Sequence, residues 1–316
     1  MPPGPTSAEI DHAARLLRAG RLVAFPTETV YGLGANSLDA EAVARIYAVK
    51  RRPPTSPIIV HVASIDMARS LVAAWPENAG RLSGKFWPGP LTMVVRSSAV
   101  IPAIVTAGLP TVGLRMPAHP VALALIRAAG IPLAAPSANR FTELSPTTAD
   151  HVRRSLGNDV SYVLDGGPCE VGIESTVLSL AEAQPVLLRP GIIPRSLLEH
   201  FIGPIAIASD PASGAHPSPG MHARHYSPRT SLFLVSNGKL PEPGQGIYLQ
   251  HTTPPTHTGI KTVQMPTSAA NYAAALYREL HEADESNFDW IAIELPPTAA
   301  EWEAVHDRLR RAASRG

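Results

Sequence analysis

Between Gly203 and Pro228 the hydrophobic patterning of this 316-residue chain gives way to Ala, Ser, Gly, Pro and His, including His216-Pro217-Ser218-Pro219-Gly220. A stretch of that composition has too little apolar surface to bury, so it reads as a linker with a folded unit on either side. Length agrees, because the chain is about twice a typical domain. The expected organisation is a larger domain over residues 1–202, a linker over 203–229 and a smaller domain over 230–316.

Upstream of the break, Thr6 and Glu9 have capping-box spacing ahead of Ile10, Ala13, Leu16 and Leu17, and Gly20 supplies a stop, which predicts an N-terminal helix. Arg21 to Phe25 reads as a short strand and Pro26 to Gly34 as a polar, Gly-containing loop. Val43, Ile46, Tyr47 and Lys50 recur at i, i+3, i+4, i+7, so Lys50 falls in the last turn of a helix that Pro53 and Pro54 stop. Pro57 to Val62 has the apolar, β-branched character of a buried strand. Further strands are predicted over 91–96, 111–115, 132–135, 160–164, 175–180 and 186–189, separated in places by helices over 65–74, 121–129 and 148–156. After the linker, strands over 231–235, 246–250 and 289–295 accompany helices over 268–283 and 298–313. The fold class is α/β (α+β), with a second, smaller α/β unit.

Composition narrows the function. Lys and Arg number 27 against 26 Asp and Glu, a net charge of +1 that predicts no general nucleic-acid coat, so any polyanion must be met by a local basic pocket. The single cysteine, Cys169, excludes an internal disulfide framework and reads as a small half-buried loop residue. The first residues lack the n-region and h-region of a signal peptide, and no uncharged apolar run reaches ~18 residues, so a cytoplasmic protein is expected. There is no G-x-x-x-x-G-K-[ST] loop. Gly32-Leu33-Gly34 begins like a dinucleotide fingerprint, but Ser37 replaces the third glycine, which argues against NAD. The histidines show no H-E-x-x-H spacing, which argues against zinc.

Lys50-Arg51-Arg52 lies at a helix-to-loop transition and suits phosphate, since Lys offers a compact charge and Arg a planar fork. Alone it also fits a solvated helix end favoured by the macrodipole. Ala134-Ala135-Pro136-Ser137-Ala138-Asn139 follows a strand with small residues that admit a ligand close to the backbone, although an ordinary turn fits as well. Asp165-Gly166-Gly167 and Gly172-Ile173-Glu174-Ser175-Thr176 are either tight turns or a second loop reaching the same cleft.

In order along the chain stand Ala24 to Gly34, Lys50-x-Arg52, Ile58-Ile59-Val60-His61, Trp87 to Thr92, Arg115 to Pro120, Ala135 to Asn139, Glu174-Ser175-Thr176 and Leu188 to Gly191. With Pro219-Gly220-Met221 and His225-Tyr226-Ser227-Pro228 in the linker, this series resembles the YrdC/Sua5 family of threonylcarbamoyl-adenylate synthases in its longer form. The resemblance implies a YrdC-like twisted mixed sheet around a positive cleft and a Rossmann-like Sua5 domain after the linker. It also implies a nucleotidyltransferase that converts L-threonine, bicarbonate and ATP into L-threonylcarbamoyl-AMP and pyrophosphate. That product feeds the modification of adenosine 37 in tRNAs reading codons that start with A, with a separate transfer machinery as the downstream partner.

Carried over position by position, the resemblance puts L-threonine binding on Thr29, His61, Arg115, Ala135 and Ser175. It puts ATP on Lys50, Arg52, Ser56, Thr111, Ser137, Asn139, Ser145 and Arg189, with Lys50 and Arg52 also catalytic and a magnesium ion assisting. Carbamate attack on the α-phosphorus needs orientation and charge stabilisation more than a protein base. Both intermediates are water-sensitive, so the linker segment Gly220 to Tyr226 is expected to act as a lid, with His225 and Tyr226 over the ligands. Departures from the family pattern are Ser56 where Asn or Asp is frequent, Ala223 at an often aromatic position, a short second domain, and Asp307-Arg308-Leu309 in place of a terminal Asn-Arg-Leu. Two alternatives are a carbamoyl-phosphate-handling module of hydrogenase maturation, which one cysteine disfavours, and a double-stranded-RNA-binding or ribosome-maturation factor, which near-neutral charge disfavours.

Overall fold

The computed structural model describes residues 4–208, 226–236, 238–241, 244–256 and 259–313. The first helix, α1 (Ser7–Arg18), carries the expected capping box: Thr6 Oγ1 accepts from Glu9 N at 3.3 Å while Glu9 Oε2 accepts from Thr6 N at 2.8 Å. The chain then forms β1 (Val23–Phe25), β2 (Gly32–Asn36), α2 (Ala40–Lys50), β3 (Val60–His61), α3 (Ile65–Ser70), α4 (Glu77–Phe86), β4 (Leu91–Arg96), α5 (Ala103–Thr106) and β5 (Thr111–Arg115). It continues through α6 (Pro120–Ala129), β6 (Leu133–Ala134), α7 (Ala149–Leu156), β7 (Tyr162–Val163), β8 (Thr176–Ser179), β9 (Val186–Arg189), α8 (Arg195–Ile202) and β10 (Ala206–Ile207).

These ten strands make one mixed sheet in the order β10-β9-β8-β4-β5-β3-β6-β2-β1-β7. Parallel and antiparallel pairs alternate from β10 to β3, and three successive antiparallel pairs then join β3, β6, β2 and β1. Helices α1, α2, α4 and α6 bury Leu17, Ile46, Leu82 and Leu125 in one core with Val23, Leu33, Val60 and Leu114 from the strands.

The segment expected to be a loop up to Gly34 turns into β2 at Gly32, antiparallel to β1. Its glycines serve packing rather than turning: a Cβ on Gly34 would lie 2.8 Å from Phe25 Cε1, so the strand passes flat over that ring. Helices α4 and α8 are not anticipated by the sequence reading, α4 because Gly80 and Gly84 lower its helix propensity beside a short buried stripe of Ala79, Leu82 and Ser83.

The second sheet comprises β11 (Ser231–Val235), β12 (Gly246–Gln250), β13 (Lys261–Gln264) and β14 (Trp290–Glu294), all parallel, in the order β11-β14-β12-β13. Helices α9 (Ala269–Glu285) and α10 (Glu303–Ala313) cover it, and Leu276, Leu280, Ile291 and Leu309 share its core. The edge strand β13 escaped sequence reading because its residues are mostly exposed and lack apolar alternation. At the carboxyl end of β14, Glu294 is buried and accepts backbone N–H groups of His251 (2.6 Å), Thr252 (2.8 Å) and Thr253 (3.0 Å). Burial opposes its ionisation, but these bonds outweigh it and hold the carboxyl at about 2.

The two units touch closely. Gly172, at φ +76°, lies against α9, where a Cβ would come within 2.6 Å of Ala273 O and Ala274 Cα. His151 of α7 stacks on His281 of α9 with ring centroids 3.8 Å apart.

Candidate functional site

A pocket opens beside the carboxyl ends of β1, β3 and β5. His61 and Arg115 are register partners at the ends of the parallel pair β3–β5, so sheet geometry alone places imidazole and guanidinium side by side. Thr29 reaches the same point from the turn after β1, which Thr27 ties together: Thr27 Oγ1 donates to Val30 O at 2.6 Å and accepts from Val30 N at 3.2 Å. Arg115 Nη1 donates to Thr29 Oγ1 at 2.9 Å and Nε to Gly89 O at 3.3 Å, while Nη2 lies 2.7 Å from Glu28 Oε1. Burial, then the charge of Arg115, pushes His61 down to about 3, so the imidazole is neutral at physiological pH.

On the opposite wall Ala135, Pro136 and Ser137 leave β6, and Ala135 N donates to Ile59 O at 2.9 Å. Two more arginines complete the lining. Arg52 is fixed by Ser56, donating from Nη2 to Ser56 Oγ at 2.6 Å and from Nε to Ser56 O at 3.2 Å. Burial draws it down to about 10, which leaves it charged at neutral pH. Arg189 donates to Ser175 O from Nε at 3.2 Å and from Nη2 at 3.0 Å, and Nη1 donates to the Tyr226 hydroxyl at 3.3 Å. Three buried guanidinium groups facing one pocket, against one lining carboxylate, Glu174, and Glu28 paired to Arg115, give it a positive interior suited to anions.

All five residues expected to hold threonine, namely Thr29, His61, Arg115, Ala135 and Ser175, line this pocket, as do Arg52, Ser137, Arg189 and Tyr226. Others stand behind it. Lys50 donates from Nζ to Ser137 O at 2.7 Å, to Asn139 Oδ1 at 3.3 Å and closely to Asn139 O, so it supports the 137–139 loop from beneath. Burial, reinforced by Arg52, places its amine well below the usual lysine range. Asn139 donates from Nδ2 to Glu143 O at 2.8 Å. Ser56 backs Arg52, and Ser145 Oγ donates to Glu174 Oε1 at 2.6 Å. Thr111 stands at the opposite end of β5 from Arg115, paired with Arg96. Arg51 takes the left-handed cap of α2 at φ 54° and points to solvent. His225 lies outside the described residues, whereas Tyr226 is buried over the pocket at φ 60°.

Sequence reading passed over Glu28 and Glu174. Both are buried carboxylates, and a buried acid requires a cation or several donors nearby. Glu28 finds Arg115, and its Oε2 accepts Ala118 N at 3.0 Å. Glu174 finds Arg308 of α10, whose Nε lies 2.6 Å from Oε2. Burial raises Glu174, but Arg308 and Arg189 outweigh it and hold the group below the usual carboxylate range. Among the described residues no group of three or more His, Cys, Asp or Glu could hold a metal ion.

Comparison with known proteins places this arrangement. The family described as Telomere recombination, covering Sua5, YciO and YrdC, matches residues 15–191, and the Threonylcarbamoyl-AMP synthase C-terminal domain matches residues 193–314. The chain is 42% identical to the threonylcarbamoyl-AMP synthase of Bacillus subtilis, covering 96% of this chain and 93% of that protein. It is 39% identical to that of Pyrococcus abyssi, covering 95% and 93%. The crystal structure of P. abyssi Sua5 complexed with L-threonine superposes with a TM-score of 0.91 at 37% identity, over 98% of this chain and 95% of that one. The chain belongs to the Sua5/YrdC family of threonylcarbamoyl-AMP synthases, in the form that carries the C-terminal domain.

Proposed function

We propose that this pocket joins L-threonine, bicarbonate and ATP into L-threonylcarbamoyl-AMP, with pyrophosphate leaving. One observation carries the residue-level reading: the Arg115–Thr29 corner and the Arg52–Arg189 wall face one pocket. An amino acid and a triphosphate held there would meet at the reacting atoms. Arg115 takes the threonine carboxylate in its fork, while Thr29, neutral His61, Ser175 and the backbone at Ala135 fix the remainder. Arg52 and Arg189 face the phosphates, Ser137 lines the nucleotide side, and Lys50, Ser56, Asn139 and Ser145 hold that wall in shape. Thr111 has the weakest support of the assigned ATP contacts, because it stands at the far end of β5.

The threonine amine adds to bicarbonate, releasing water and forming a carbamate. Its anionic oxygen attacks the α-phosphorus and the bond to the β-phosphate oxygen breaks, so pyrophosphate carries away the electron pair. Buried guanidinium groups oriented before the reaction stabilise the charge that builds on the phosphate oxygens. The two carboxylates at the pocket are already committed to Arg115 and Arg308, so the described residues offer no ligand set of their own for magnesium. Magnesium would arrive on the ATP phosphates, and no step here depends on the protein binding it.

Tyr226 closes the pocket as a lid, supported by its burial and its hydroxyl contact with Arg189. The product passes to a separate tRNA-modifying transferase, and the reaction runs in the cytoplasm. Among the described residues no helix is long and apolar enough to cross a membrane. The test is pyrophosphate release with ATP, bicarbonate and L-threonine, omitting each in turn. All three should be required, and release that persists without bicarbonate would overturn the carbamate step.

A further inference from the structure

We propose that Arg308, in the second domain, is a positioning residue for the reaction in the first domain, acting by neutralising Glu174 and bracing the loop that carries Ser175. The inference rests on the reading of the pocket given above. Arg308 has no exposed surface, yet it belongs to α10 and points out of its own domain. Its Nε meets Glu174 Oε2 at 2.6 Å, Nη2 donates to Glu174 O at 3.3 Å, and Nη1 donates to Pro190 O at 3.1 Å.

Those anchor points are adjacent to the working parts. Glu174 leads through Ser175 into β8, and Pro190 follows Arg189 at the end of β9, the antiparallel neighbour of β8. The two loops are in direct contact, since a Cβ on Gly191 would fall 2.3 Å from Thr176 N. One side chain therefore clamps the entry of β8 to the exit of β9, the two sites from which Ser175 and Arg189 enter the pocket.

Charge supplies the second half of the argument. Glu174 lines the pocket, and the groups to be held there include a carboxylate, a carbamate and a triphosphate, all anionic. A buried carboxylate without its cation would repel them at short range, where screening is weak. Ser145 and Tyr277 also donate to Glu174, at 2.6 and 3.2 Å, but neither brings a positive charge; Arg189 does act on it from the pocket side, as the weaker of the two cations. Arg308 is in turn balanced by Asp307 at 2.6 Å, and Asp307 by Arg311 at 3.0 Å. The acidic departure at Asp307 is thus absorbed within α10, and the pair facing the pocket keeps its charge.

The experiment compares the full-length wild type, R308M and R308M/E174Q in the pyrophosphate assay, with melting curves to establish folding. R308M should raise KM for ATP about tenfold at about pH 8, with KM recovering toward about pH 6 as the orphaned Glu174 takes up a proton. R308M/E174Q should remove that pH dependence and return KM to within about threefold of wild type, the remaining deficit being the lost brace on Glu174 O and Pro190 O. A residue that merely staples the domains together would produce neither rescue. R308M with wild-type KM, or a double variant as impaired as the single one, overturns the proposal. Should R308M not fold, the double variant, which buries no unpaired carboxylate, carries the test by the same threefold and tenfold limits. A wild type that releases no pyrophosphate would instead overturn the reading of the pocket itself.

Discussion

Glu28 Oε1 lies 2.7 Å from Arg115 Nη2 at the floor of the pocket, an ionic contact off the hydrogen-bond line between two side chains sealed from water. With Nε on Gly89 O and one Nη1 hydrogen on Thr29, the guanidinium is locked in plane and still has donors for a substrate carboxylate. Arg115→Lys keeps the charge and loses the fork, so KM for threonine should rise about tenfold, worth about 1.4 kcal/mol, with KM for ATP little changed. Arg115→Ala strands Glu28 and should also cost about 3–5 kcal/mol of stability, read from denaturant titration. A Lys variant with unaltered threonine KM would remove Arg115 from the binding role.

Lys50 spends its amine hydrogens on carbonyl oxygens of Ser137 and Asn139. Lys50→Met should therefore release the 137–139 loop and cost about 1–3 kcal/mol of stability, because buried acceptors lose their donor. KM for ATP should rise while KM for threonine moves less. Equal effects on both substrates would point to collapse of the whole site.

Gly172 touches the backbone of α9 at a left-handed φ of +76°. Gly172→Ala adds both strain and a clash, so it should destabilise the chain by about 1–3 kcal/mol and loosen the domain contact. Small-angle scattering should show an enlarged radius of gyration. An unchanged radius with unchanged melting would mean the contact is soft.

Burial first, then His281 and Arg154, lowers His151 to about 3; burial, opposed by the Ser145 carbonyl and reinforced by Arg154, lowers His281 to about 4, against an unfolded value near 6.5. Asp150 and Asp284 also face the pair and oppose the shift. The unfolded chain therefore binds more protons between about pH 6.5 and the folded values, so stability is full above about 6.5 and falls as pH drops toward about 3–4. The melting temperature should decline from pH 7 to pH 5, and His281→Phe should flatten that slope while keeping a ring in the stack. The flattening will be partial, since buried His61 acts in the same direction. A slope identical to wild type would remove the pair from acid sensitivity.

The strand ends that frame the pocket are legible in the sequence, where it changes from apolar to small and polar within one or two residues, whereas Thr29, His61, Arg115, Ala135 and Ser175 are assigned to it by the family resemblance. β4, β5 and β9 begin and end where the pattern predicts. Arg52 was likewise visible as a cation just past a helix end. What stayed hidden depends on partners distant in sequence. Glu174 gains its meaning from Arg308, 134 residues away, and Glu28 from Arg115. Lys50 looked like a phosphate ligand, and only tertiary structure shows its amine turned to the loop behind the pocket.

The backbone cradle around Glu294 bears on what the small domain is for. In parallel α/β sheets the carboxyl ends of the strands are where phosphate groups usually dock, on N–H groups of the loops that follow. Here the chain's own carboxylate occupies three such N–H groups after β12. Those N–H groups are therefore closed from within, and an anion could dock on them only by displacing Glu294.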